Sequence, residues 1–345
     1  MGIVDSARHV IGGVDTHLDA HMAAVVDSNG GVLGIEQFPV TSAGYVALTS
    51  WMTAFGTIER VGIEGTGAYG IGLARHFGSL EVPVIEIDRP NRQKRRQHGK
   101  SDQLDAVEAA RGALSGRCAG IAKTSDGQIE ALRALMVVKR SARANRVRTV
   151  VQLRYLMFTA PDELRERFAG STPARMAKDA ARLRPSGDTV MHATKTAAIA
   201  LARRVHALDA EIAAVDQQIE PIVKAAGPRL LNIYGCGIDT AAILLVTAGD
   251  NADRIRDEAA WAMLCGIAPI PANSGKRDGR YRLNSGGNRQ ANHAHWRIVL
   301  TRLGQHDERT VAYMNRRLEQ GKNKPEIIRC LKRYVARETF DALPR

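Results

Sequence analysis

The sequence predicts an α/β domain followed by a mainly helical remainder, and three observations support this mixed fold class. Short apolar runs separated by turn residues fill the first 90 positions. From residue 102 to about 225, apolar residues recur at helical spacing. Beyond residue 228, Gly-x-Gly and other turn signals separate shorter helical segments. We therefore expect three regions: a sheet-containing domain over 8–125, a helical and coiled-coil region over 126–225, and a mainly helical domain over 226–345.

The first domain is predicted to begin with three strands. Residues 9–40 contain three apolar runs, and the turn Asn29-Gly30-Gly31 separates the second from the third. Because helical segments then alternate with further apolar runs, a mixed α/β sheet is expected. The predicted elements are a helix over 42–56, a strand over 58–63, a helix over 69–79 and a strand over 82–88.

Helices are predicted to fill the middle region, where Pro161, Pro173 and Pro185 divide the chain into segments. Segment 188–224 has apolar residues at a spacing of roughly 3.5 residues. This spacing is typical of a coiled coil, whose partner is either a second copy of the chain or another helix of the same chain.

The third region opens with PRLLNIYGCGIDTAAILLVTAG, residues 228–249. A short helix, a turn at Gly235 and Gly237, and a second helix capped by Asp239 fit a helix-hairpin-helix. After a turn-rich, cationic segment over 268–293, the sequence predicts a last helix pair, over 291–320 and 325–340.

The charge of the chain indicates a polyanionic partner. The net charge is +13 and the calculated pI about 9.9, which favours nucleic acid or an anionic membrane surface. No apolar run approaches the ~20 residues that a spanning helix needs, so no membrane association is expected. The four cysteines are far apart and form no C-x-x-C, which argues against a disulfide framework or a zinc site. A reducing, cytoplasmic location is expected.

Four carboxylates are the candidate catalytic residues. Asp15 and Glu64 each end an apolar run, and Asp102 and Asp105 lie one helical turn apart. The ends of neighbouring strands meet at one edge of a sheet, and converging acids repel one another unless cations neutralise them. Two Mg²⁺ ions bridged by carboxylates are suited to phosphoryl transfer. Taken singly, each acid is better explained as a turn or cap residue or as part of a solvated first helical turn. The four together, in this order and context, are more specific.

Cations surround these acids in the sequence. Runs of lysine and arginine of this kind can bind a nucleic-acid backbone, although a solvated loop is the simpler explanation of any single run. In 131–160 no acid balances the arginines, and backbone amides of the Gly235–Gly237 turn would suit a phosphate. The candidate nucleic-acid-binding residues are Arg89, Arg92, Lys94, Arg95, Arg96, Lys100, Arg140, Arg143, Gly235, Gly237, Lys276, Arg277 and Arg280.

Three motifs carry a family resemblance: GVDTHLDAH, GIEGTGAYG and KSDQLDA resemble the signature of DEDD-type insertion-sequence transposases. The segments LLNIYGCGIDTAAILLVTAGD and CGIAPIPANSGKRDGRYRLNSGGNRQANHA resemble that family's C-terminal motifs. The resemblance implies a RuvC-like N-terminal domain of the ribonuclease H fold. It also implies that Asp15, Glu64, Asp102 and Asp105 bind Mg²⁺. Departures are small: Ser101, Gly65 and Asn273 stand where the family usually has Thr, Ala and, often, Ser.

The same resemblance assigns a role to Ser274 in ANSGKR. The corresponding serine of the family is its proposed nucleophile, which links covalently to DNA. The resemblance further implies a structured guide RNA encoded by the element, DNA ends and a DNA target as partners, a homodimer or tetramer, and a bacterial cytoplasmic setting. The predicted function is that of a transposase or recombinase that cuts and rejoins DNA.

Other functions remain open on the residues alone. A metal-dependent, structure-specific nuclease such as a junction resolvase would need the four acids but not Ser274. A non-enzymatic nucleic-acid-binding protein would need neither. An ATPase of the sugar-kinase/actin class would need further glycine-rich phosphate loops than GTGAYG at 65–70. No G-x-S-x-G elbow supports a serine hydrolase, and no P-loop motif is present.

Overall fold

The computed structural model describes residues 8–87, 101–116, 120–271, 281–284 and 286–344. These residues form two compact units. The first comprises the described residues between 8 and 127 together with 248–256, and the second comprises those in 128–247 and 257–344. The sequence-based division at 125 and 225 stays a prediction. An α/β unit and a mostly helical unit are present, as the sequence predicted.

The first unit is built on a six-stranded sheet with the order β3-β2-β1-β4-β5-β6. β1 is parallel to β4, and β4 to β5, whereas the β1–β2, β2–β3 and β5–β6 pairs are antiparallel. The short strand β6 was not predicted. The strands are β1 His9–Asp15, β2 Ala20–Val26, β3 Val32–Pro39, β4 Thr57–Glu64, β5 Val84–Ile87 and β6 Gly120–Ile121; the helices are α1 Ser42–Thr53, α2 Ile71–Ser79 and α3 Asp102–Leu114.

Apolar residues cover both faces of this sheet. Along β1, Val10 and Val14 join a core with α1 and α2, whereas Ile11 joins a core with the alanines of α3. Side chains alternate between the faces of a strand. Asp15 therefore lies on the same face as Ile11 and Gly13, the face that α3 covers.

Two glycines allow α3 to lie unusually close to the sheet. A Cβ atom on Gly13 would be 2.2 Å from the backbone nitrogen of Ala110 and 2.3 Å from the backbone oxygen of Ala106. A Cβ on Gly62 would be 2.4 Å from the backbone oxygen of Ala109. The close contact fixes the register of α3 on β1 and β4. It thereby sets the position of the acids at the start of α3.

Replacing Gly13 by Ala is expected to destabilise the first unit by about 1–3 kcal/mol, because the added methyl group meets backbone atoms that cannot rotate away. The displaced α3 should also reduce any activity that depends on Asp102 or Asp105. Thermal denaturation of the purified variant measures the first effect. Gly78→Ala is the matched control, since its Cβ would meet nothing within 4 Å. Equal melting temperatures for Gly13→Ala and the wild type would contradict this packing argument.

The second unit is organised around two long helices, α4 Gln128–Phe158 and α7 Thr189–Ala226. They run antiparallel, because Lys139 pairs with Asp216 and Arg146 pairs with Asp209. The partner of segment 188–224 is therefore a helix of the same chain. The remaining elements are α5 Asp162–Phe168, α6 Pro173–Ala180, α8 Pro228–Leu231, α9 Ile238–Ala248, α10 Glu258–Leu264, α11 Arg289–Gly304, α12 Glu308–Glu319, α13 Lys324–Asp341 and the hairpin β7 Pro269–Pro271 with β8 Tyr281–Leu283.

Two local predictions are wrong. Asp239 does not cap α9, because that helix already begins at Ile238 and the Asp239 carboxylate pairs with Lys139 and Arg143 instead. The predicted helix over 291–320 is two helices, α11 and α12. The chain turns between them at His306, which has φ of +55°, and Asp307 caps the second helix. The short helix, turn and second helix that the sequence predicted over 228–249 are present as α8, the Gly235–Gly237 turn and α9.

A buried polar network lies between α10, α11 and α13. The Trp261 indole N–H donates to the Thr339 hydroxyl, 3.0 Å away, and His295 Nε2 lies 2.9 Å from the same hydroxyl. His295 Nδ1 lies 2.7 Å from the Ala291 carbonyl oxygen. In a neutral His295, Nδ1 donates to the Ala291 carbonyl and Nε2 can accept from the Thr339 hydroxyl, whose single proton also lies within reach of the Ala336 carbonyl oxygen, 3.1 Å away. Burial lowers the pKa of His295 to about 4.

His295 should make the protein acid-labile. In the unfolded state the His295 imidazole takes up a proton below its ordinary pKa of 6.5, whereas in the folded state it stays neutral until about pH 4. Stability from this group is therefore complete above pH 6.5 and is lost as the pH falls, by about 2–3 kcal/mol near pH 4.5. Urea denaturation at several pH values tests this. His295→Gln should reduce the pH dependence by that amount, whereas His293→Gln, an exposed control on the same helix, should leave it unchanged.

Within the described ranges, no helix combines the length and apolarity that crossing a lipid bilayer requires.

Candidate metal centre

Asp15 is the centre of the candidate site. It is the last residue of β1 and is only 7% exposed. Burial, the largest effect, raises the pKa of its carboxyl group, and the Asp105 and Asp102 carboxylates raise it further, while His17 lowers it. A buried carboxylate beside two others is unfavourable without a counter-charge. The site thus has the electrostatics of a cation-binding site.

Asp102 and Asp105 reach Asp15 from the start of α3. The Ser101 hydroxyl caps this helix by accepting from the Leu104 N–H at 3.3 Å, so Asp102 is the first helical residue. Negative charge is favoured at a helix N-terminus. Asp105 follows one turn later, is buried, and directly precedes Ala106, which packs on Gly13. Asp102 has a potential ligand atom within 4.8 Å of one on Asp15, and both aspartates raise the pKa of Asp15. The role of these acids as metal ligands stays a prediction.

His17 is a residue that the sequence analysis missed. Its Nε2 atom lies 3.2 Å from Asp15 Oδ2 and 3.5 Å from Asp102 Oδ2. Potential ligand atoms of Asp15, His17 and Asp102 all lie within 4.8 Å of one another. The sequence feature that could have identified His17 is its position two residues after Asp15 at a strand end, because this spacing places both side chains on one face.

Glu64 lies at the end of β4, the strand beside β1. The pairing register brings Val14 opposite Ile63, so Asp15 and Glu64 follow at the same edge. The Thr16 hydroxyl donates to the Glu64 backbone oxygen at 2.7 Å and ties the two strand ends together. The Glu64 side chain is partly exposed and lies outside the group of three that shares ligand distances.

The donor set suits a hard divalent cation. Carboxylate oxygens are the ligands that Mg²⁺ prefers, and Mn²⁺ accepts an additional imidazole. A cation here would offset both the burial of Asp15 and its repulsion from Asp102 and Asp105. In the described ranges, this is the single cluster of three or more His, Cys, Asp or Glu side chains with ligand spacing.

Many of the predicted nucleic-acid-binding residues and the predicted nucleophile lie outside the described residues. These are Arg89, Arg92, Lys94, Arg95, Arg96, Lys100, Ser274, Lys276, Arg277 and Arg280.

The cations of α4 are arranged differently from a uniform basic surface. Lys139 is buried and pairs with Asp216 and Asp239, and Arg143 Nη1 lies 2.8 Å from Asp239 Oδ2. Burial raises the pKa of Asp239, but hydrogen bonds from Lys139 and Arg143 outweigh burial and hold the pKa below its usual value. These contacts fasten α9 to α4 and α7. Arg140 is exposed on α4.

The Gly235–Gly237 turn borders a cavity of about 790 Å³ that Lys139, Arg143 and Arg297 also line. Gly235 has φ of +86°, and a Cβ there would lie 3.1 Å from the Ile298 carbonyl oxygen. Gly237 faces open space. Gly237 is exposed, but Cys236 between the two glycines is buried and its N–H donates to the Ile233 carbonyl oxygen, 2.9 Å away. Phosphate binding by this turn stays a prediction.

Two family models match the chain. Residues 12–160 match a model described as a transposase, of the DEDD type of the IS110 group. Residues 227–315 match a model described as a transposase of the IS116/IS110/IS902 family. Together the two ranges span most of the chain and include all four acids and Ser274. No curated protein matches the chain significantly.

Proposed function

Because this chain belongs to the IS110 family of DEDD-type transposases, we propose that it cuts and rejoins DNA with a divalent metal at its acid cluster and a serine nucleophile. The observation that carries the metal site is the convergence of Asp15, Asp102 and Asp105. Burial raises the pKa of Asp15, and the Asp105 and Asp102 carboxylates raise it further, at a sheet edge where Glu64 also ends its strand.

The first unit is proposed to have the ribonuclease H fold of the RuvC-like domains. The strand order β3-β2-β1-β4-β5, with β1, β4 and β5 parallel, supports this assignment. So does the placement of acids at the ends of β1 and β4 and on the helix that packs across them. Function does not follow from fold alone, and the proposed catalysis depends on the acids themselves.

Asp15, Glu64, Asp102 and Asp105 would hold the metal, which we propose to be Mg²⁺. When bound, Mg²⁺ would supply positive charge to the scissile phosphate. His17, which contacts both Asp15 and Asp102, would orient the two carboxylates. The packing of Gly13 on Ala106 and Ala110 would hold Asp105 against Asp15, so the ligands are positioned by rigid elements rather than by loops.

Ser274 would be the nucleophile. Its hydroxyl oxygen would attack the scissile phosphorus, form a phosphoserine bond and release a strand end with a free hydroxyl group. A hydroxyl of another strand would then attack that bond and free Ser274. Because the energy of the phosphodiester is conserved in the link, the exchange needs no ATP, consistent with the absence of a P-loop motif from the sequence.

The partners are proposed to be element ends, a DNA target and a structured guide RNA. The net charge of +13 supports a nucleic-acid partner. Exchange between two duplexes requires several active sites, so a homodimer or tetramer is proposed.

Metal binding and metal-dependent cleavage test the proposal. Titration calorimetry with Mn²⁺, which reports binding without activity, should show binding to the wild type that Asp102→Asn weakens. DNA carrying the element's ends, with RNA transcribed from its flank, should be cut only with Mg²⁺ or Mn²⁺ and not in EDTA. Cleavage in EDTA would contradict the proposal. Cleavage that is unaffected by Ser274→Ala would instead indicate a metal-dependent nuclease.

A further inference from the structure

A cavity of about 920 Å³ opens beside the C-terminal end of α4, within the second unit. Its floor is formed by Met157, Phe168 and Met176, which are buried in the core between α4, α5, α6 and α7. The turn 169–171 closes one side, where Gly170 has φ of +65°. The volume lies in the range of about 300–1,000 Å³ that is usual for small-ligand sites.

The rim of this cavity exposes two aromatic rings. Tyr155 is 68% exposed and Phe158 is 74% exposed. Val151 and Val147 continue the same helix face towards the N-terminus, at spacings of four residues, and are also exposed. Scattered exposed apolar side chains are common, but a continuous set that includes two rings beside a cavity marks an interaction surface.

The lining of the cavity is cationic, whereas the adjoining helix α5 also exposes Asp162, Glu163 and Glu166. Arg154 and Arg165 line the cavity, and its described lining includes no acid. Arg165 pairs with Asp162 at 2.6 Å, but both side chains are largely exposed, and such surface pairs contribute little. Arg146 of α4 pairs with Asp209 of α7, but Arg154 and Arg165 lie in the lining of the cavity itself. A partner that carries negative charge would complement this lining.

A nucleic acid meets these requirements better than a second copy of the chain. Self-pairing of the α4 faces would bring arginines against arginines, and like charges across an interface cost several kcal/mol. Aromatic rings beside arginines are the recurring arrangement for unpaired nucleic acid, where rings stack on bases and cations contact the backbone. In a duplex, each base is already stacked between its neighbours, so these rings would find no free base face.

We propose that this cavity and its rim bind unpaired nucleotides, with Tyr155 and Phe158 stacking on bases and Arg154 and Arg165 contacting phosphates. The inference extends the proposed function, since it assumes a nucleic-acid partner. It does not depend on chemistry at the acid cluster. It assigns to the end of the α4–α7 pair a role in holding a single-stranded segment of DNA or RNA.

Fluorescence anisotropy in EDTA tests this binding without any cleavage. The probes are labelled oligo(dT), oligo(rU) and a duplex of the same length. The double variant Tyr155→Leu with Phe158→Leu keeps an apolar surface but removes both rings, and should weaken single-strand binding by about 5- to 100-fold. The matched control, Tyr155→Phe with Phe158→Tyr, keeps the rings and should bind within about twofold of the wild type. Comparing the oligo(dT) and oligo(rU) arms shows whether DNA or RNA is preferred.

Three results would overturn the proposal: no single-strand binding by the wild type, equal binding by the leucine variant, or an equal loss on the duplex. Sedimentation velocity could give a fourth contradicting result. If the wild type sediments as a dimer and the leucine variant as a monomer, this face binds a second copy of the chain rather than nucleic acid. Circular dichroism checks that the leucine variant remains folded. The binding assay contains no divalent metal, so its outcome does not depend on whether the protein cleaves DNA. Likewise, a failure of single-strand binding would not count against metal-dependent cleavage.

Discussion

Replacing Asp15 by Asn is expected to lower metal-dependent DNA cleavage by more than about 100-fold. Mutating a residue that only hydrogen-bonds to a metal ligand already lowers metal affinity or activity by about 10–100-fold, and Asp15 is a proposed ligand itself. The stability of the Asp15→Asn variant should not fall together with its activity. Burial and the neighbouring Asp105 and Asp102 raise the pKa of Asp15, so the ionised carboxylate is unfavourable in the folded protein at neutral pH. An amide of the same shape removes that charge. The variant should therefore melt at or above the wild-type temperature in EDTA.

Metal should reverse the order of the two melting temperatures. A cation that binds only the folded protein stabilises it, so Mn²⁺ should raise the wild-type melting temperature but leave Asp15→Asn almost unchanged. Asp19→Asn is the control, because Asp19 is an exposed acid in the same β1–β2 connection. It should retain both cleavage and the response to Mn²⁺. A destabilised Asp15→Asn in EDTA would show that this carboxylate is structural rather than a metal ligand.

Replacing Ser274 by Ala is expected to abolish joining of DNA strands, with a loss of more than about 100-fold, because no other group in the proposed reaction conserves the phosphodiester energy. Metal binding should be unaffected, since the four acids remain. Gel assays that follow cleaved ends and joined products separately give the two rates. Ser285→Ala, in the same C-terminal motif, is the control and should behave as the wild type. Normal joining by Ser274→Ala would exclude this serine as nucleophile.

The candidate site could be predicted from sequence to the extent that it depends on periodicity. Asp15 and Glu64 end apolar runs and lie at the same edge of the sheet, and Asp102, at the start of a helix, comes within ligand distance of Asp15. Strand pairing and helix geometry account for both placements. His17 required the further step of extending the strand alternation by two residues beyond the apolar run.

What the sequence analysis could not predict depends on contacts between distant segments. The closeness of α3 to the sheet rests on Gly13 and Gly62 meeting backbone atoms of residues about 50 to 100 positions away, and neither glycine is distinguished by a turn signal. The cations of α4 likewise looked unbalanced because the acids that pair with them, Asp216 and Asp239, belong to other helices. The same long-range pairing accounts for the wrong cap assignment at Asp239.

The most direct test is to identify the DNA-linked residue. The wild type is incubated with Mg²⁺, labelled element-end DNA and the flanking RNA, denatured and digested with a protease, and the nucleotide-bearing peptide is sequenced by mass spectrometry. The account predicts a phosphoserine link at Ser274 that is absent from Ser274→Ala and from Asp102→Ala. Cut DNA with free ends and no linked peptide in the wild type would contradict it and would leave a nuclease that uses the acid cluster alone.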